Sequence, residues 1–410
     1  KTMRELDATS KSVDPAVRAI NALGIDLLAK GFRPAANALL SPYSIQAALA
    51  MIWAGADGET HAEMERVLHY PGDDARLHDA MVALRTALET VTAATTKEAG
   101  TSSRWGSPSD PITLNLANRL FGQQGYEFRE SFLALLQDRY LAPLHLMDFV
   151  GKAPSARDEI NAWVAEQTLQ RIPELIPPEG LDGETRLVLV NAIHLKAPWQ
   201  DEFVATATKP LPFHVSGATT PDVSTMKRRD DLGYAARDGF RVVTLPYRGG
   251  EVQFLILLPD AVDGLSALEA QLTPEMLVAA ANPGPTDVVI FLPKFRLEPP
   301  MLPLGQALRA LGMKSAFDEP RGSANFDRMA PRKPADYLFI TEVFHQTFLA
   351  LDEQGTEAAA VTALMGAPRC AVIKKQVEPI EVRVDRPFLF AIQHRRSGAC
   401  LFLGRVTDPR

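Results

Sequence analysis

The residues best suited to chemistry lie near the C-terminus, in Glu353-Gln-Gly-Thr-Glu-Ala-Ala-Ala-Val-Thr-Ala-Leu-Met-Gly366. The run follows an apolar, strand-like stretch, Phe344 to Leu351, and holds small residues, threonines and glycines with no charge after Glu357. Such a segment makes a poor core, yet it can slide between two strands without clashing, because small and β-tolerant side chains fit both faces of a sheet. It reads as a strand held in reserve. Behind it comes Ala367-Pro-Arg-Cys370, which reads as protease bait. The chemistry is that of being cut.

Catalytic motifs are missing. There is no Gly-x-Ser-x-Gly, His-Glu-x-x-His, phosphate loop or paired-cysteine motif. Neither a metal nor a cofactor is expected, and the chain is not expected to be an enzyme. The 410 residues are 46% hydrophobic and 23% charged, ample for a large core. A net charge of -7 argues against a general nucleic-acid binder. No run of 18 apolar residues marks a membrane span. Cys370 and Cys400 fit no metal or redox spacing. With no Met at position 1 and no apolar leader, an export signal is expected to have been removed if there was one. Few cysteines and no Asn-x-Ser/Thr sequon fit a bacterial source.

The elements that must position the C-terminal run are mostly helices first and strands later. Asp14-Pro15 starts a helix with Val17, Ile20, Leu23, Leu27 and Leu28 on one face. Ser41 caps a second helix, with Pro42 in its first turn and Gly55 at its end. Helices are expected over Glu59–His69, Ala75–Ala93, Phe128–Tyr140, Ser155–Arg171 and Leu304–Leu311, and an exposed loop over Thr95–Pro111. His61 and His69 are expected to be solvated. Strands are expected at Ile112–Phe121, Leu187–Leu195, Arg241–Leu245, Val252–Leu258, Val288–Leu292, Tyr337–Thr341, Ile380–Val384, Phe388–His394 and Leu401–Val406. Leu187–Leu195 is apolar almost throughout, as a strand buried on both faces should be. The class is α+β, in a single domain over residues 1–410.

Several stretches in this order resemble the serpin family, from about residue 16 to the end. They are Ser41-Pro-Tyr-Ser-Ile-Gln-Ala-Ala-Leu-Ala-Met51 with Gly55-Ala-Asp-Gly-Glu-Thr60, Leu187-Val-Leu-Val-Asn-Ala-Ile193 with Trp199, and Leu257-Leu-Pro259. Leu292-Pro-Lys-Phe295, Asn325-Phe-Asp-Arg-Met329, Arg386-Pro-Phe388 and Phe402-Leu-Gly-Arg-Val406 continue the match. The resemblance implies three β-sheets, about nine helices and a reactive loop at about 353–379. In such a fold the loop inserts into the central sheet as an extra strand.

The resemblance also assigns roles. It implies a suicide-substrate inhibitor that forms a covalent complex with a trypsin-like serine protease; the alternative is a non-inhibitory substrate or carrier. The hinge is Glu353, Gly355, Thr356, Glu357, Ala358, Ala359, Ala360 and Thr362, running to Ala363. Thr356, Ala358, Ala360 and Thr362 would enter the core face, where a charge would be costly, while Glu357 faces water. The attacked residue, fourteen after Gly355, is Arg369, so the reactive bond is Arg369–Cys370. Seventeen residues separate Arg369 from Pro387, more than the family's usual spacing. If the extra length precedes the cut, Lys374, Lys375 or Gln376 takes its place. Ser41, Ser44, Asn191 and His345 match the polar shutter beneath the opening sheet. Trp199 matches the breach, where the loop first goes in. The helix at Ala75–Ala93 carries only Arg76 and Arg85 as basic residues, which argues against heparin as a partner. The expected state is a secreted or periplasmic monomer, metastable until cut.

Overall fold

The computed structural model describes residues 14–99, 110–215, 219–357 and 378–410. Arg369, Cys370, Lys374, Lys375 and Gln376, and the hinge residues Ala358, Ala359, Ala360 and Thr362, lie outside the described residues.

An apolar strand, Leu187–Pro198, organises the molecule. Its side chains alternate between two cores. Leu187, Leu189, Ile193 and Leu195 join the main core. Val188, Val190 and Ala192 face a second cluster with Phe149, Ile160 and Val164 of the helix Phe149–Gln167. A strand covered on both sides has no reason to alternate in polarity, so its sequence reads as one apolar run.

On one edge the Leu187 strand pairs antiparallel with Thr113–Gln123, from Thr113↔Lys196 to Gly122↔Leu187. On the other edge the pairing forks. Residues Leu187–Ile193 pair in parallel with the strand Ile340–Thr347. Beyond that, Ala197 and Pro198 pair antiparallel with Gly355–Thr356. Thr356 in turn pairs with Leu351 of the strand Leu349–Leu351. The central sheet is thus parted at one end by two residues of the hinge.

Three short strands complete the central sheet, and the other nine form one nine-stranded network. The strand Asp222–Arg237 explains why the second and third expected sheets are continuous. Its residues 233–237 pair with Phe240–Pro246, and its residues 225–233 pair with Pro285–Pro293. The described residues contain nine α-helices. Among the described residues no helix is long and apolar enough to cross a membrane.

Several expectations need correction. The helix expected to end at Ala93 runs from Asp74 to Ala99, so Thr95 begins no loop. Thr95 is buried; its hydroxyl donates to the Val91 carbonyl at 3.1 Å and accepts the Ile112 N–H at 3.2 Å. A mid-helix threonine can satisfy its hydroxyl on the carbonyl four residues back, so Thr95 need not end the helix. The strand expected at Tyr337 starts at Ile340. The Asp222 strand has no counterpart in the sequence reading, because half-exposed charged residues hide its alternation. His61 and His69 are not solvated side chains on an open helix face. His61 stacks on Trp53 with centroids 4.6 Å apart. His69 lies past the helix end at φ 58°, with Nε2 2.7 Å from Asp26 Oδ2. Cys400 is free and fully buried, and burial pushes its thiol up to about 12.

Candidate functional site: the parted central sheet

Asp352 turns the chain back on itself. Its Oδ1 accepts the N–H groups of Gln354 at 2.9 Å and Gly355 at 3.3 Å, and its N–H donates to the Gly355 carbonyl at 3.0 Å. Aspartate side chains favour such local turns. The turn lays Gly355 against the Leu187 strand. Gly355 sits at φ 151°, and a Cβ there would lie 2.2 Å from the Ala197 carbonyl oxygen and 2.7 Å from Pro198 Cα. Both obstacles are backbone, so only glycine fits.

Thr356 follows on the core face, 1% exposed, as its small side chain allows. Its hydroxyl and that of Tyr247 share a 2.5 Å hydrogen bond. Tyr247 stacks on Trp199 with centroids 4.6 Å apart and planes 4° from parallel. Trp199 holds the turn at two points: Nε1 donates to the Asp352 carbonyl at 2.9 Å, and its N–H donates to the Gln354 carbonyl at 2.8 Å. Plain core packing alone would not need those two bonds. Burial pushes the Tyr247 hydroxyl far above its usual range, so it stays protonated.

Glu353 anchors the turn from outside. Its carboxylate accepts from Lys294 Nζ at 2.7 Å and Thr208 Oγ1 at 2.7 Å. Burial alone would raise its pKa, but these two donors bring it below the usual value.

Glu357 departs from expectation. Its side chain is 2% exposed rather than in water. One oxygen is bonded to His194 Nε2, and the other lies 3.0 Å from Arg171 Nε. His194 is on the even-numbered face of the Leu187 strand, and Arg171 follows the Phe149 helix that covers that face. Sequence alternation placed Glu357 on this face but could not show what covers it. Its backbone N–H donates to the Ala350 carbonyl at 2.9 Å, and its φ of 51° turns the chain out of the strand. A non-glycine residue holds that conformation at a cost, so its side-chain partners matter.

Further along the same strand, four polar groups meet under the closed part of the sheet. Ser41 caps the helix Pro42–Gly55 by accepting the Ser44 N–H at 3.2 Å, and its own hydroxyl donates to the Leu401 carbonyl at 2.6 Å. Its backbone N–H donates to His345 Nε2 at 3.3 Å. His345 Nδ1 bonds Asn191 Oδ1, across the parallel pair His345↔Asn191. Asn191 Nδ2 donates to Ser44 Oγ at 2.6 Å. With Nε2 accepting from an amide, His345 must be the neutral Nδ1–H tautomer. Burial agrees, since it lowers the pKa of His345 to about 3. Each group is fully or nearly fully buried and satisfied, so parting these strands would leave several without partners.

Sequence reasoning missed Asn118. It pairs with Asn191 across the antiparallel ladder and joins the network: Ser44 Oγ donates to its Oδ1 at 3.0 Å, and its Nδ2 donates to the Ser44 carbonyl at 3.3 Å. Asn115 and Arg119 in the same strand kept it from standing out. Arg171, His194 and Tyr247 were missed for want of any local pattern.

The family model for serpins (serine protease inhibitors) matches residues 18–409. The chain is 38% identical over 385 residues to a leukocyte elastase inhibitor of Bos taurus, covering 92% of this chain and 94% of that protein. It is 34% identical over 397 residues to the Homo sapiens leukocyte elastase inhibitor, covering 95% and 97%. Its fold is similar to uncleaved ovalbumin, with a TM-score of 0.78, 27% identity and coverage of 96% and 100%. It is also similar to tengpin, a thermophilic serpin in the native state, with a TM-score of 0.76, 26% identity and coverage of 98% and 96%. The sheet that accepts a strand, the hinge that begins one and the match across nearly the whole chain agree: the chain belongs to the serpin family of serine protease inhibitors.

Proposed function

We propose that this protein traps trypsin-like serine proteases by inserting its cut reactive loop into the central sheet. The attacked bond in this reading is Arg369–Cys370. The protease serine would attack the Arg369 carbonyl, release the Cys370 amine and leave Arg369 as an acyl ester on the enzyme. Zipping of the loop between the Leu187 and Ile340 strands would then carry the protease away before water cleaves the ester. Fourteen residues at roughly 3.3 Å each span about 46 Å, enough for that journey.

One observation carries the reading. Gly355 and Thr356 already lie between the Leu351 and Ala197 backbones, in antiparallel register, with Thr356 buried. Insertion continues a strand that has begun, so its nucleation is already made. The small residues up to Ala363 let it continue.

The relatives named as leukocyte elastase inhibitors support protease inhibition. The choice of trypsin-like enzymes rests on Arg369 alone. A guanidinium suits a specificity pocket ending in a carboxylate and does not suit the small pocket of an elastase. Incubation with trypsin and with elastase, followed by denaturing electrophoresis, tests this. A covalent complex with trypsin, absent in Arg369→Ala, is expected. Mass spectrometry of the released fragment should place the cut after Arg369. A cut after Lys374 or Lys375 would move the reactive bond; a complex with elastase alone would overturn the assigned specificity. Cleavage without any complex would make the protein a substrate.

A further inference from the structure

Glu357 has left the strand that Gly355 and Thr356 begin: its φ of 51° lies in the left-handed region. An extended strand cannot hold that conformation, so insertion beyond Thr356 must first rotate the Glu357 backbone. The rotation relieves the strain of a non-glycine residue there. It also carries the carboxylate away from His194 and Arg171, which hold it in the intact hinge.

Register decides where the carboxylate goes. Gly355 faces Pro198 and Thr356 faces Ala197, in antiparallel order. Each further residue of a lengthening strand faces one residue earlier in the Leu187 strand. An extended Glu357 therefore faces Lys196, and Ala359 faces His194. On its other side Thr356 pairs with Leu351, so Glu357 meets Ala350, which brings no charge. Side chains directly opposite on antiparallel strands have Cβ atoms about 4.5–5.5 Å apart, and opposite charges there attract. His194 and Lys196 are two residues apart on one strand, so they share a face, the one on which Glu357 already lies.

The charges can make this exchange. Lys196 is now 2.6 Å from Asp110, with side chains 28% and 43% exposed. Ion pairs of that kind contribute little, so Lys196 can change partner at small cost. Arg171 is half exposed and its guanidinium also lies over the Phe348 ring, so it can let go and stay solvated. His194 is buried, and opposite Ala359 it would face a small residue with no carboxylate.

We infer that Glu357 changes partners during insertion: His194 and Arg171 hold it in the intact hinge, and Lys196 receives it in the inserted strand. Lys196 is thus a positioning residue for the first step beyond the seated pair Gly355 and Thr356. This rests on the insertion reading above.

Double-mutant cycles in the intact and the trypsin-cut protein test it. Unfolding midpoints in guanidinium chloride are measured for Glu357→Gln, His194→Gln and Lys196→Gln, singly and in pairs. In the intact protein the shift caused by Glu357→Gln should fall by about half or more when His194 is already Gln, and should not depend on Lys196. In the cut protein it should depend on Lys196 and not on His194. Lys196→Gln should also raise the number of inhibitor molecules consumed per trypsin trapped by about twofold, with an unchanged rate of cutting. Lys196→Arg should restore the parental number. Lys196 is partly exposed, so these arms do not depend on how well His194→Gln folds. A cut protein that unfolds at the intact midpoint would sink the insertion reading itself. A cut protein that unfolds later, with Glu357 still coupled to His194 and not to Lys196, would overturn the exchange and leave insertion standing.

Discussion

Thr356 and Tyr247 share a 2.5 Å hydrogen bond inside the parted end of the central sheet, and neither is more than 1% exposed. Thr356, the first core-facing residue of the proposed hinge, is therefore already seated in the sheet. Thr356→Arg would place a guanidinium against Tyr247 and the stacked Trp199. Burying it unpaired costs several kcal/mol. The variant is expected to be cut by trypsin at the parental rate yet to form little covalent complex. Parental complex yields on a denaturing gel would count against insertion.

Glu357 is tied to His194 and Arg171, so the second seated residue bridges the hinge to the segment after the Phe149 helix. Glu357→Gln keeps the shape and removes the charge. Losing one partner of a buried ion pair costs about 3 kcal/mol or more when the other charge stays buried, but Arg171 is 47% exposed and can return to water. A smaller loss, on the order of 1 kcal/mol, is expected. Limited proteolysis within 353–357 should quicken several-fold. An unchanged rate would show that the charge does not hold the hinge.

His345 links the sheet to pH. Its folded-state pKa is lowered to about 3, against an ordinary value of 6.5. The neutral form is the one the closed network accepts. Stability from this group is therefore complete above pH 6.5 and is lost as pH falls from 6.5 towards about 3. Between pH 7.5 and 5.0 the loss should be about 2 kcal/mol. The thermal midpoint of the parent should fall over that range, and that of His345→Gln should fall less. Equal slopes would assign the effect to other groups, such as His78 and His394, which burial also lowers.

Among the described residues, Gly355 and Thr356 of the proposed inserting strand pair with the Leu187 strand. Completing the strand adds ladder bonds worth roughly 0.5–1.5 kcal/mol each. After a single cut at Arg369 the protein should melt higher by tens of degrees on a rough estimate. Calorimetry before and after limited trypsin treatment measures this. Equal melting temperatures, with the cut confirmed, would mean the loop does not insert.

The sequence alone determined the elements with one dominant period and the segment with almost none. Leu187–Ile193 reads as a doubly buried strand because both faces are apolar. The hinge reads as insertable because no charge or proline occurs from Ala358 to Ala367. The seat of Thr356 on the core face follows from simple alternation. Tertiary structure decided what lies across each face. Glu357 is buried because Arg171 and His194, distant in sequence, converge on it. Asn118 joins the polar network because the antiparallel register sets it opposite Asn191. Arg85, in sequence only one of two basic residues over Ala75–Ala93, lines a cavity between its helix and the Thr113 strand. Periodicity reports which residues share a face. Only the packing of remote elements decides whether that face meets water, a partner or a space left to fill.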